Sequence, residues 1–371
     1  AMERIKSGEK YTVRLKSSGN FFNKFKFNDL VFGEMEFPEN DIDIPIMKSS
    51  NLLPTYHFAH LVDDHLMRTT HVVRGQEWMS SVPVHYELFK TFGFKMPKYI
   101  HTPLILKKDG DKIRKISKRL DPEARMTYYE EKGYPVYSLI EAIMTIANSN
   151  YEQWREGHPD ADFTEFEFSP KKMSSAGALF DLDKLDNISK NYLSKLKASE
   201  VFDGLDEWSK IYDTDFNALI NKHKDYTISV LNIEREQKKP RKDFACFSEV
   251  KDNIWYMYNE LFDGAIFDFS FLKHEEDAKE IISTYLNEYF DINDDKDTWF
   301  NKIKELTEKM GYCSNMKEYK ENPDNYRGST ADISNVIRVA LTTKLTTPDL
   351  YEIINILGDA EVRSRFSKIC G

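Results

Sequence analysis

Long apolar runs are missing from this 371-residue chain, and no apolar stretch stands behind its charged start, Ala1-Met2-Glu3-Arg4-Ile5-Lys6. The first absence excludes a helical membrane span, which needs about 18 or more consecutive apolar residues, and the second excludes a signal peptide. Cysteine is scarce: Cys246, Cys313 and Cys370 form an odd, widely spaced set with no CxxC pair, which argues against a disulfide framework and a zinc site. An excess of positive charge is also lacking. The net charge of −10 speaks against indiscriminate nucleic-acid binding, whose affinity comes mainly from lysine and arginine neutralising phosphates. These absences predict a soluble, cytoplasmic protein with reduced thiols, in which any RNA contact uses local basic patches.

What is present is enough apolar residue, 40% of the chain, to bury two or three cores. Between about 10 and 47 the pattern is strand-like. Tyr11, Val13 and Leu15 alternate with polar residues, Phe25 and Phe27 alternate with lysines, and a third run covers Leu30 to Phe37. This reads as the end of a small β-containing unit with an abrupt beginning, so a truncated chain is expected. From 54 to 106 the periodicity predicts a helix over Tyr56–Leu66, an apolar run at His71–Val73, a helix from Glu77 to Phe92 and a second run at Tyr99–Leu106. That alternation suits a parallel sheet with crossover helices, but supplies only half of a nucleotide-binding domain.

Beyond 120 helices dominate, at 122–132, 137–148, 181–198, 205–222, 275–290, 298–310, 331–342 and 347–357. Residues 150–172 read as a polar loop, and two bundles are expected to meet near 275.

Two basic clusters stand out. Residues 107–119 hold seven cations against two aspartates, and Lys238, Lys239, Arg241 and Lys242 form the second. Within the first, Lys115-Ile116-Ser117-Lys118-Arg119 follows a short strand and a glycine, Gly110, and precedes a helix. Two ammonium groups and a hydroxyl so spaced can converge on one small anion. Four histidines, His57, His60, His65 and His71, lie near Asp63 and Asp64, but their spacing matches no metal-ligand pattern.

The lysine string resembles the mobile loop of class I aminoacyl-tRNA synthetases. Pro54–His60, Val62–Met67, Thr70–Gly75, Phe180–Leu185 and Thr347–Ile353 together resemble bacterial glutamyl-tRNA synthetases, in the family's order. The resemblance implies the α/β half of a Rossmann-like class I catalytic domain, preceded by the end of a β-containing connective insertion and followed by all-α tRNA-binding domains. The implied divisions are 1–55 (insertion), 56–120 (catalytic half with lysine loop), 121–198 (stem-contact helices), and 199–274 and 275–371 (anticodon-binding helices).

It also implies an activity, the ATP-dependent joining of glutamate to tRNA, with magnesium arriving on the nucleotide. Lys118, supported by Lys115, would stabilise charge on the triphosphate. Glu77, Trp78, Leu104 and Ile105 would line the ATP, and Tyr56, Arg74 and His60 would hold glutamate, His60 standing where many relatives carry asparagine. Lys239, Arg241 and Lys242 would meet tRNA, with Trp255, Tyr256 and Tyr258 offering ring faces to unstacked bases. No histidine motif of the class I type precedes residue 54. The implied partners are therefore tRNA(Glu), glutamate and a missing N-terminal half of the catalytic domain, in a monomer that is inactive without that half. A noncatalytic tRNA-binding protein on the same scaffold is the alternative.

Overall fold

A computed structural model describes residues 1–370 as two compact units. The first comprises residues 1–124 and 140–182, and the second comprises 125–139 and everything from Asp183 onward.

After a short helix, α1 (Met2–Lys6), the first unit builds strands β1 (Val13–Leu15), β2 (Lys24–Asp29), β3 (Gly33–Pro38) and β4 (Ile44–Met47). Helix α2 (Tyr56–Leu66), strand β5 (His71–Gly75), helix α3 (Val82–Phe92) and strand β6 (Lys98–Thr102) follow. The main sheet has the order β3-β2-β6-β5, with β5 and β6 parallel in the register Arg74 opposite His101. The β2–β3 hairpin is not a separate body, because β2 joins β6 in parallel where Asp29 meets Tyr99. Strict alternation along β2 explains this: Phe25, Phe27 and Asp29 are buried while Lys24, Lys26 and Asn28 are exposed. Phe25 and Phe27 pack with Val82 and Tyr99, and a second cluster joins Leu61, Leu88 and Phe89 to Ile44.

The helix expected from Glu77 begins later than its periodicity suggests. Residues Gln76–Ser81 form a 3-10 segment and α3 starts at Val82, since Pro83 has no N–H to bond backwards and is accepted only in a first turn. Strands β7 (Ile105–Asp109) and β8 (Lys112–Lys115) then form a hairpin, and β9 (Ala178–Leu179) adds to β7 in parallel. The expected polar loop at 150–172 instead contains a helix, Tyr151–Gly157, anchored by a fully buried Tyr151 with Phe166 edge-on against it.

In the second unit the predicted helix at 205–222 is two, Ala198–Tyr212 and Thr214–Lys222. They are separated at Asp213, whose side chain leaves the first helix and caps the second at the Phe216 N–H. One core gathers Val201, Phe202, Leu205, Phe216 and Ile220, and a second gathers Ile281, Ile303, Leu306, Val336 and Ile337. The final helix, Leu350–Cys370, contributes Ile353 to the first core and Ile354 to the second, and breaks at Gly358 in the left-handed region (φ 78°), directly after the predicted end at 357.

Arg365 on that helix is fully buried. Its guanidinium donates to the carbonyls of Tyr256 and Leu341 and to the side chains of Asn259 and Glu361, and lies 3.8 Å over the Phe262 ring. A buried cation with this many acceptors ties four segments together, and its removal would leave two carbonyls unpaired. Among the described residues no helix is long and apolar enough to cross a membrane.

Candidate functional site

Arg74 occupies the carboxyl end of β5, where ligands of open α/β sheets bind. An arginine can only donate hydrogen bonds, so its partners must be acceptors. Nε donates to His101 Nε2 at 2.9 Å, Nη1 lies 3.1 Å from His85 Nδ1, and Nη2 reaches the Trp78 carbonyl at 3.4 Å. The guanidinium lies 4.7 Å over the Tyr99 ring, and burial lowers its pKa from the ordinary arginine value. Every one of these hydrogen-bond partners is uncharged. Each terminal nitrogen keeps a second hydrogen, and Tyr56 is the neighbouring hydroxyl.

Helix α2 carries Tyr56, His60 and Asp64 at four-residue spacing, so that all three share a face. The Tyr56 ring is half-exposed, stacks parallel to His60 with centroids 6.1 Å apart, and meets Trp78 at 4.7 Å. His60 Nε2 lies 2.9 Å from the Tyr99 hydroxyl and its Nδ1 lies 3.0 Å from Asp64. The three residues singled out for glutamate, Tyr56, His60 and Arg74, are therefore brought together.

Three members of this cluster are not evident from the sequence. His85, on the apolar face of α3, bonds His57 at 2.9 Å, and His101 places Nδ1 2.7 Å from Asp29, whose other oxygen accepts the Val31 and Phe32 N–H groups. The only local signals are a histidine inside the apolar run Tyr99–Leu106 and an aspartate ending a strand. Among the described residues no group of three or more histidine, cysteine or acidic side chains is disposed to hold a metal.

Burial, reinforced by His60 and Arg74, pushes His85 down to about 2. His57 and His60 are also lowered, first by burial. The unfolded chain takes up a proton near the ordinary value of 6.5, whereas the folded ring stays neutral, so stability falls as pH drops below 6.5. His85 alone should cost the fold about 2 kcal/mol between pH 6.5 and 5, at ~1.4 kcal/mol per pH unit. Urea melts across that range should show the loss, and His85→Gln should flatten the slope.

Of the positions expected to line ATP, Glu77 folds back over Gly75, where a Cβ would fall 2.3 Å from the carboxylate and push that side chain aside. Gln76 bonds the Leu104 N–H at 3.2 Å, which brings the Glu77–Trp78 turn beside Leu104 and Ile105.

The lysine string leaves the end of β8, and Gly110 lies in the hairpin turn before it, at φ 59°, rather than in the loop itself. What holds the loop is Asp121, 2% exposed. It accepts both terminal nitrogens of Arg114 at 2.7 and 2.8 Å and the Ser117 N–H at 2.7 Å, with Lys107 at 3.3 Å. The Arg114 guanidinium holds the Asp121 carboxyl well below its ordinary range. Two of the seven cations are thus neutralised within the fold. Lys115 and Lys118 are exposed and have no ion-pair partner among the described residues.

In the helical unit Lys239 and Lys242 are exposed, whereas Arg241 is engaged with Asp243 and with the Thr347 carbonyl at 2.9 Å. The expectation that Tyr256 and Tyr258 offer faces to bases is corrected: both are 2% exposed, because they fill the helical core.

The chain thus carries a mixed sheet with a parallel β5–β6 pair, a buried arginine at the carboxyl end of β5 and an exposed lysine string at the end of the β7–β8 hairpin. A family model described as the catalytic domain of class I tRNA synthetases (E and Q) matches residues 1–187, and an anticodon binding domain model matches 328–370. The chain is 45% identical over 372 residues to the glutamate–tRNA ligase of Clostridium beijerinckii, covering 99% of this chain and 67% of that protein. It is 46% identical over 371 residues to that of Clostridium perfringens, with the same coverage. A crystal structure of a glutamate tRNA ligase from Elizabethkingia meningosepticum, in complex with its amino acid, shares the fold with a TM-score of 0.70 at 20% identity, covering 100% of this chain and 70% of that one. The chain belongs to the glutamate–tRNA ligase family, and it spans about two thirds of the length of these relatives. Enzymes of this class use ATP, typically with magnesium.

Proposed function

We propose that this chain supplies the glutamate-holding arginine, the lysine loop and the tRNA-binding helices of a glutamate–tRNA ligase whose remaining catalytic strands lie in a preceding segment. The Arg74 environment carries the reading. A buried guanidinium with only neutral hydrogen-bond partners retains its charge for an incoming carboxylate, and its planar fork suits that group. Tyr56 orients the same substrate, with His60 beside it. Glu77, Trp78, Leu104 and Ile105 line the adenosine, and Lys118 and Lys115 meet the triphosphate, whose magnesium is held largely by phosphates and water.

The functional divisions proposed along the chain are 1–55, 56–120, 121–198, 199–274 and 275–371, the last two reading the anticodon of tRNA(Glu). Lys239 and Lys242 are the proposed phosphate contacts, with Arg241 bracing their segment, in a cytoplasmic monomer.

A missing front portion is supported by the sheet itself. Strand β5 is outermost, hydrogen-bonded on one side only, and its Val73 is 63% exposed. An uncovered edge of this kind is a template for another strand. The chain alone is expected to bind tRNA with salt-dependent affinity yet to show no glutamate-dependent ATP–pyrophosphate exchange. Adding the front third of the Clostridium beijerinckii ligase should restore exchange. Exchange by the chain alone, at the rate of an intact ligase, would reject the reading.

A further inference from the structure

We infer that Asp29, His101 and His85 are positioning residues that hold the Arg74 guanidinium in one orientation with no carboxylate bonded to it, and so set the preference for glutamate over glutamine. This rests on the reading that Arg74 receives the side-chain carboxylate of glutamate.

The hydrogen-bond directions follow from Arg74 outward. Because Arg74 donates, His101 must accept at Nε2 and carry its proton on Nδ1, which donates to Asp29 at 2.7 Å. By the same logic His85 accepts at Nδ1 and donates from Nε2 to His57 Nδ1, 2.9 Å away. A protonated imidazole at either place has no lone pair and would turn a donor toward the guanidinium. Asp29, His85 and His101 are 1%, 0% and 0% exposed, so all three are closed to bulk water. The low proton affinity of buried His85 agrees with this assignment.

The placement of the carboxylate is the informative feature. Asp29 is the charge that fixes the row, yet it touches His101 and not Arg74. A carboxylate directly on the guanidinium would neutralise it and compete with the substrate. With an imidazole between them, Asp29 fixes the ring's tautomer and the direction of the Arg74 Nε–H, while no carboxylate occupies the second hydrogens of the terminal nitrogens. A substrate carboxylate can then take two parallel hydrogen bonds, whereas the amide of glutamine offers one acceptor and turns an N–H₂ toward a cation. Asp29 comes from β2, so the connective hairpin contributes to amino-acid selection through the strand pairing that places it beside β6.

The test uses the 15N-labelled chain completed with the front third of the Clostridium beijerinckii ligase, titrated with glutamate and separately with glutamine, following the imidazole and arginine Nε signals. The unliganded protein should show His101 protonated on Nδ1 and His85 on Nε2. Asp29→Asn keeps an oxygen for the Val31 and Phe32 N–H groups. It should alter the His101 tautomer pattern, weaken glutamate about tenfold, the scale of one weakened charge-assisted hydrogen bond, and leave glutamine nearly unchanged. His101→Gln, which retains an acceptor for Arg74 but not the link to Asp29, should do the same if the first variant folds poorly. Unchanged glutamate-to-glutamine preference in both variants, with glutamate binding abolished in Arg74→Ala, would overturn the positioning role and leave the Arg74 assignment standing. Absence of any glutamate-induced change at Arg74 in the completed parent enzyme would overturn both.

Discussion

Replacing Lys118 by alanine, in the enzyme completed with the front third of a relative, is expected to lower glutamate-dependent ATP–pyrophosphate exchange by about 10²- to 10³-fold, the scale of losing one preorganised electrostatic contact. Affinity for tRNA should change less than about twofold, since one exposed lysine among many contributes little to a nonspecific field. Negative charge builds on the phosphoryl oxygens as glutamate's α-carboxylate attacks and pyrophosphate departs, so a positioned cation stabilises that state more than the ground state. Lys118 is suited to this because the fold spends other cations and not this one: Arg114 and Lys107 are held by Asp121, while Lys118 is exposed beyond the anchored Ser117. The control is Lys112→Ala on the exposed hairpin, which removes the same charge a few residues away and should leave exchange within about twofold. Equal losses of exchange and tRNA binding in Lys118→Ala, or equal losses in the two variants, would reject a transition-state role.

The Arg74→Ala variant of the completed enzyme should lose about 10²- to 10³-fold in kcat/KM for glutamate, the ~3–4 kcal/mol typical of removing one partner from a buried charge pair, with KM for ATP little changed. Arg74→Lys should fare almost as badly. An ammonium on a flexible stem cannot reach His101, His85 and the Trp78 carbonyl at once and still present two parallel donors to a carboxylate. Because Arg74 also satisfies buried acceptors, the alanine variant should lose some stability as well, about 1–3 kcal/mol. Thermal melting run alongside the kinetics separates the two effects. A folded Arg74→Ala enzyme within fivefold of the parent for glutamate would remove Arg74 from the substrate site.

Much of the catalytic half was legible because local spacing encodes it. The α2 boundaries follow from apolar periodicity, and Tyr56, His60 and Arg74 lie in strings specific enough to name a family. Periodicity misleads where one residue overrides it: Pro83 delays α3, Asp213 divides a helix, and Tyr151 builds a helix in a segment whose polarity suggests a loop. The lysine string is visible in the sequence, but its anchor is not. Nothing local distinguishes Asp121, which secures the loop, from Asp109 and Asp111 nearby.

The sequence by itself determined which chemical groups are available and in what order, because side-chain chemistry and helical or strand periodicity are properties of neighbouring residues. Tertiary structure alone decided which charges remain free. The carboxylate of Asp29 reaches His101 across 72 positions of chain, and only the pairing of β2 with β6 brings them within 2.7 Å. Hydrogen bonding and charge compensation act through distance in space, so whether a cation is spent on the fold or kept for a substrate becomes fixed only when remote segments pack.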